Sequence, residues 1–195
     1  MFYIFAAFLI FILLYGFLIF IRKTMWDAVH RNLLDLEELY EGRVLRRGFA
    51  TRPYFHGKMD GSAFTINFST EKKAGKRNTY IDISYERASA ITCTCSDRQW
   101  LETQTNDSPS NFLTIQNKRG KEFIVRPASD KHVQKLARDD RLKKALDLDG
   151  LAYIFIGKSG LICELVSEEI IKATQAENLD LILKEIQNLS GVFQR

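Results

Sequence analysis

Twenty consecutive residues, Phe2 to Ile21, contain no charged side chain, and Arg22 and Lys23 follow at once. A helix rises about 1.5 Å per residue, so this run is about 30 Å long and matches the hydrocarbon thickness of a bilayer. A cleaved leader would begin with basic residues, have a shorter apolar run and end at a small-residue site. Here the chain opens Met-Phe-Tyr-Ile-Phe and the run ends Phe-Ile-Phe-Ile-Arg-Lys. A soluble core helix would carry a polar face. The run therefore reads as a retained transmembrane anchor over residues 1–23.

Flanking charge sets the expected orientation. Arg22, Lys23 and Arg31 follow the run, and only the α-amino group precedes it. Positive residues stay on the cytoplasmic side, so the N-terminus is expected outside and the remainder in the cytoplasm. Arg22, Lys23 and Trp26 are the expected membrane-interface residues, with the indole at headgroup depth.

A second helical pattern occupies residues 24–42. Val29, Leu33, Leu36 and Tyr40 continue from Trp26 at spacings of three and four, with Asp27, Arg31, Asn32, Glu38 and Glu41 opposite. The stripe suits packing on the chain's own domain or docking on a partner, and it supplies the candidate partner-binding residues. Gly42 is the expected C-cap.

Residues 43–195 read as one α+β domain. The period falls to two through Phe64–Phe68, Thr79–Tyr85 and Ile91–Cys95. Turns at Asp60-Gly61 and Lys118-Arg119-Gly120 complete an expected antiparallel meander of about six strands. Glu71 to Arg77 reads as a basic loop, and residues 96–111 as a long polar connection that returns Trp100 and Leu101 to the core. Helices are expected after Ser129 or Asp130 and through Leu142–Leu146. A hairpin follows over Leu151–Leu165, and a last helix carries Leu179, Ile182, Leu183 and Ile186. Residues 167–174 fit either strand or helix. The fold class is thus α+β: an anchor and amphipathic stalk, then antiparallel sheet with helices and a C-terminal helix.

No catalytic set stands out, and no cofactor or metal is expected. Gly157-Lys158-Ser159 lacks the earlier glycine of a phosphate loop, since Ala152 stands there. Asp147, Asp149 and Gly150 imitate half of a calcium loop, but Ala145 and Ile156 occupy its outer ligand positions. His30, His56 and His132 have no metal-ligand spacing. The cysteines number three, Cys93, Cys95 and Cys163, an odd count that does not suggest a disulfide framework. Cys93 and Cys95 would share one strand face.

The net charge is +4, from 28 basic and 24 acidic residues. This mild excess suits an anionic membrane surface better than nucleic acid, whose binding modules are absent. Lys72, Lys73, Lys76 and Arg77 are the candidate anion-binding residues. Lys131, Lys135, Arg138, Arg141, Lys143 and Lys144 form a second basic group, diluted by Asp130, Asp139 and Asp140.

The stretch Phe123-Ile-Val-Arg-Pro-Ala-Ser-Asp130, followed by Leu136, Leu142 and Leu146, resembles one in uncharacterised bacterial single-span membrane proteins with a soluble α+β domain. The likeness spans residues 55–160 and implies neither an activity nor functional residues. The leading expectation is an accessory or scaffold subunit of a membrane assembly, with a membrane protein partner or self-association. A module for anionic lipid head groups is the alternative. A thiol-dependent enzyme using Cys93 or Cys95 is the third.

Overall fold

The structure is a computed structural model that describes residues 2–73, 76–104 and 111–194. Its first element is a single helix, α1 (Phe2–Leu39), 38 residues long. At about 1.5 Å per residue it extends about 57 Å. Nothing in the sequence breaks it: there is no proline, and the lone glycine is Gly16.

The two halves of α1 have different surroundings. The N-terminal half is long and apolar enough to cross a membrane, and none of its apolar run is buried in the fold. The C-terminal half is part of the folded domain. Trp26 is 2% exposed, and Val29, Leu33 and Leu36 are fully buried. Trp26 packs on Phe68 with ring centroids 5.6 Å apart. At the other end Tyr40 meets Phe64 edge-on at 5.4 Å. Asn32 donates to the Ile171 carbonyl at 2.8 Å, and the Tyr40 hydroxyl donates to Asp180 at 2.7 Å.

Gly42 does not have the role expected of it. The left-handed residue after α1 is Glu41, with φ of 45°. Gly42 allows a close approach instead: a Cβ there would lie 2.2 Å from the Phe55 ring. The backbone N–H of Lys58 then reaches the Tyr40 carbonyl at 2.8 Å and ties the helix end to the sheet.

The sheet has nine strands in antiparallel pairing. They are β1 (Arg43–Leu45), β2 (Tyr54–Met59), β3 (Ser62–Lys73), β4 (Lys76–Tyr85), β5 (Cys93–Asp97), β6 (Leu113–Gln116), β7 (Glu122–Arg126), β8 (Leu151–Gly157) and β9 (Gly160–Ser167). Asp60 and Gly61 both have positive φ, 50° and 73°, as a tight two-residue hairpin turn requires. The spatial order is β1-β2-β3-β4-β9-β8-β5-β7-β6. The expected meander is therefore interrupted: the C-terminal hairpin β8–β9 inserts between β4 and β5. The physical reason is visible in β8, Leu-Ala-Tyr-Ile-Phe-Ile-Gly, which is apolar on both faces and suits the middle of a sheet.

The remaining elements are short. Helix α2 (Arg98–Gln104) occupies the start of the expected polar connection, and Leu101 is buried there. Helices α3 (Lys131–Leu136) and α4 (Asp140–Leu146) are capped by the Asp130 and Asp139 side chains. Residues 167–174 resolve into the end of β9 and α5 (Ile170–Ala173). Helix α6 (Ala176–Ser190) buries Leu179, Ile182, Leu183, Ile186 and Leu189. The C-terminal half of α1, α4 and α6 share one continuous core with Phe64, Ile66, Ile83, Ile154 and Cys163.

Trp26 joins the helix to the sheet, so its truncation opens a cavity. Trp26→Ala is expected to cost about 3–5 kcal/mol in denaturant unfolding of the full chain in detergent. Leu18→Ala, on the exposed half of α1, is expected to leave that transition unchanged.

Candidate membrane-surface site

The strand β3 runs opposite to α1, because Phe64 meets Tyr40 while Phe68 meets Trp26. Following β3 beyond Phe68 therefore leads back along α1 towards Lys23 and Arg22. The last pairing of β4 with β9 is Thr79 with Ser167, whereas β3 and β4 stay paired to Lys73 with Lys76. The end of the β3–β4 hairpin thus projects past the sheet as a two-stranded arm. The expected loop from Glu71 to Arg77 is mostly strand, with residues 74–75 outside the described region. Lys72 and Arg77 are exposed cross-strand partners, and they share the helix-side face with Phe68 and Thr70.

Arg52 joins the arm to the helix. Its guanidinium stacks over the Trp26 ring at 5.9 Å and donates to the Phe68 carbonyl at 3.0 Å and to the Thr70 hydroxyl. Arg77 approaches the same hydroxyl at 3.5 Å. Burial, then the positive charges of Arg22 and Arg77, push the Arg52 pKa below its usual value. An arginine stays protonated under such pressure. Arg52 and Arg77 thus share the Thr70 hydroxyl, and Arg22 lies one helical turn before the Trp26 ring that Arg52 covers. Lys23 and Arg46 add to this group through Asp27, which pairs with both. Those partners, Lys23 foremost, hold the Asp27 carboxyl below the usual carboxylate range.

The expected site residues fall into three groups. Arg22, Lys23, Lys72 and Arg77 come together in this collar. Lys73 and Lys76 are paired at the end of the arm. Trp26, Val29 and the rest of the stripe require correction. The Trp26 indole is a core ring covered by Phe68 and Arg52, not an interfacial one. Val29, Leu33 and Leu36 are buried by their own domain, and Tyr40 packs on Phe64. The sheet and α6 cover Val29, Leu33 and Leu36, while Tyr40 is half-buried. Sequence reasoning missed Arg46, Arg52 and Asp27. The available signal was the run of four arginines within residues 43–52.

The other candidate chemistries are absorbed by structure. All three cysteines are buried. Contact with Cys93 and burial raise the Cys95 thiol, and burial raises Cys163, so both stay protonated and shielded at neutral pH. Asp147 accepts the backbone N–H of Lys118 at 2.8 Å, and Asp149 pairs with Arg119 at 2.7 Å. Gly157 and Gly160 close the β8–β9 hairpin. His56 and His132 are exposed and His30 is half-buried. Among the described residues, no three His, Cys, Asp or Glu side chains gather around a common point.

The sheet face away from the helical core carries a different feature. Asp82 and Glu164 are direct cross-strand partners on β4 and β9. Burial raises the pKa of each; for Glu164 the next cause is the charge of Asp82. Glu71 raises both, while Ser69 and Arg52 hold Asp82 down. Like charges directly opposite one another oppose folding.

No family model, no curated protein and no solved structure matches this chain.

The acid pair predicts a pH signature. Its folded pKa values lie above the unfolded ones, so the folded state binds protons more tightly and ionisation costs stability. That cost is absent below the ordinary carboxyl range, about pH 4, and grows as the pH rises through the raised values. Glu164→Gln is therefore expected to raise the thermal midpoint at pH 7.5. The gain should fade as the pH falls below about 4, and a gain unchanged across that range would contradict the assignment.

Proposed function

We propose that this chain is a single-pass membrane protein whose α+β domain sits against an anionic leaflet and binds its phosphate head groups. The observation that carries this reading is the placement of Arg52 over Trp26, one turn after Arg22, with Arg77 at the same Thr70 hydroxyl and Lys72 opposite Arg77 on the arm. Solvated basic residues ordinarily spread apart. Here two guanidiniums meet at one hydroxyl with further basic residues one turn and one strand away, and an anionic surface would offset that concentration of charge. The same collar favours the N-terminus outside and the domain in the cytoplasm, since the positive charge lies on the domain side of the span.

The alternative of an accessory subunit has a narrower basis. Of the stripe that could pack on its own domain or dock a partner, Val29, Leu33 and Leu36 are buried in the domain. Such a subunit would meet its partner through the exposed Phe5, Phe8, Phe11, Phe17 and Phe20 of the apolar half.

Vesicle flotation tests the lipid reading. A chain lacking residues 2–21 retains every buried residue of α1 and loses only its exposed apolar run. It is expected to float with vesicles containing phosphatidylglycerol at low salt, and to release at high salt or from purely zwitterionic vesicles. Each surface charge contributes about 1 kcal/mol, so the combined Arg22→Gln, Lys72→Gln, Arg77→Gln variant should bind roughly 100-fold more weakly. Equal flotation with neutral and anionic vesicles would overturn the proposal.

A further inference from the structure

Phe49 is 70% exposed on the connection between β1 and β2. A large aromatic ring left this open would ordinarily belong to a loose loop, but this loop is tied down. The Arg46 guanidinium donates to the carbonyls of Phe49 at 2.8 Å and Thr51 at 3.1 Å, while pairing with Asp27 of α1. The Thr51 hydroxyl donates to the Gly48 carbonyl at 2.9 Å. These bonds fix the Phe49 backbone relative to α1. The ring itself lies beside Lys23, whose ammonium sits 5.0 Å from the ring centroid.

Lys23 is two residues beyond Ile21, which is about 3 Å of helix rise. The Lys23 ammonium reaches forward to Asp27, so the Phe49 ring stands beside the first turn and a half after the apolar run, within about 9 Å of helix rise of Ile21. The loop occupies the matching end of the sheet, since it leads into Tyr54 of β2 while β2 pairs with β3 next to the Phe68 position. Arg46, Arg47 and Arg52 flank the ring in sequence, and Arg47 is exposed. An apolar ring with basic neighbours at the end of a span is the chemistry of an interfacial contact: the ring enters the headgroup–acyl boundary and the cations stay with the phosphates.

We infer that Phe49 is a second membrane contact, a wedge that inserts into the bilayer boundary beside α1 and limits the tilt of the rigid helix–domain unit. A single span leaves that unit free to tilt in the bilayer. One inserted ring off the helix axis restricts the tilt and holds its own side of the domain against lipid. The inference rests on the membrane-surface reading of the collar and adds a specific occupant, the lipid boundary, for a ring that the described chain leaves largely exposed.

Site-directed spin labelling of the full chain in liposomes of mixed zwitterionic and anionic lipid tests it. The native cysteines are buried, so a nitroxide thiol reagent should leave the parent chain unlabelled and modify only an introduced cysteine. Phe49→Cys removes an exposed side chain and leaves the core intact. Its label is expected to be more accessible to oxygen than to a water-soluble nickel chelate, as at Phe17→Cys within the span. Lys158→Cys, on the exposed β8–β9 turn, should show the reverse. A Phe49→Cys label as open to nickel as the one at Lys158→Cys would overturn the wedge, and so would one shielded from both reagents, which would place a protein partner there. Lys72→Cys separates the two readings. Partial shielding from nickel at that site with an open Phe49 site would retain the collar and reject the wedge, whereas full nickel access at both would reject both.

Discussion

The whole arrangement depends on Trp26, Val29, Leu33 and Leu36 being buried in the domain that α1 carries. A span joined to a domain by a flexible linker only limits distance. Here the same helix that is apolar on every side before Ile21 supplies a core stripe after Met25. The junction is less than two turns of helix, and it contains no proline or glycine. Orientation is then transmitted from helix to sheet through packing, which in a close-packed interior resists deformation. The domain has a fixed tilt relative to the helix axis, so its surface has a fixed side towards the apolar half.

Charge follows from that geometry. Because β3 runs antiparallel to α1, the free arm of the β3–β4 hairpin points towards the exposed end of the helix. The β1–β2 connection sits at the same end and brings Arg46 and Arg52. Basic groups therefore accumulate at the helix exit, while Asp82 and Glu164 lie opposite one another on the other sheet face.

Much of this was legible in the sequence. The apolar run, the helical stripe and the strands through Phe64–Phe68 and Thr79–Tyr85 each declare themselves by period, because each pattern is local. The order of strands was not legible. Inserting β8–β9 beside β4 pairs residues that are about 80 positions apart, such as Ile83 with Cys163, and no local pattern encodes that choice. The two-sided apolarity of Tyr153 to Ile156 was the available hint of a central position. The burial of Trp26 is not legible in the sequence for a related reason. An indole just after a span has two apolar destinations, lipid interface and protein core, and only the position of Phe68 decides between them. The collar was half legible: Lys72 to Arg77 stood out as a run, whereas Arg52 acquires its place through contacts with Trp26, Phe68 and Thr70.

Continuity of α1 across its two environments is the central claim, and amide hydrogen exchange of the full chain in lipid nanodiscs measures it directly. The account predicts slow exchange without interruption from the apolar half through Arg22, Lys23 and Thr24 to Leu36. Fast exchange confined to residues 22–25, with protection on either side, would reveal a hinge between anchor and domain and would contradict it.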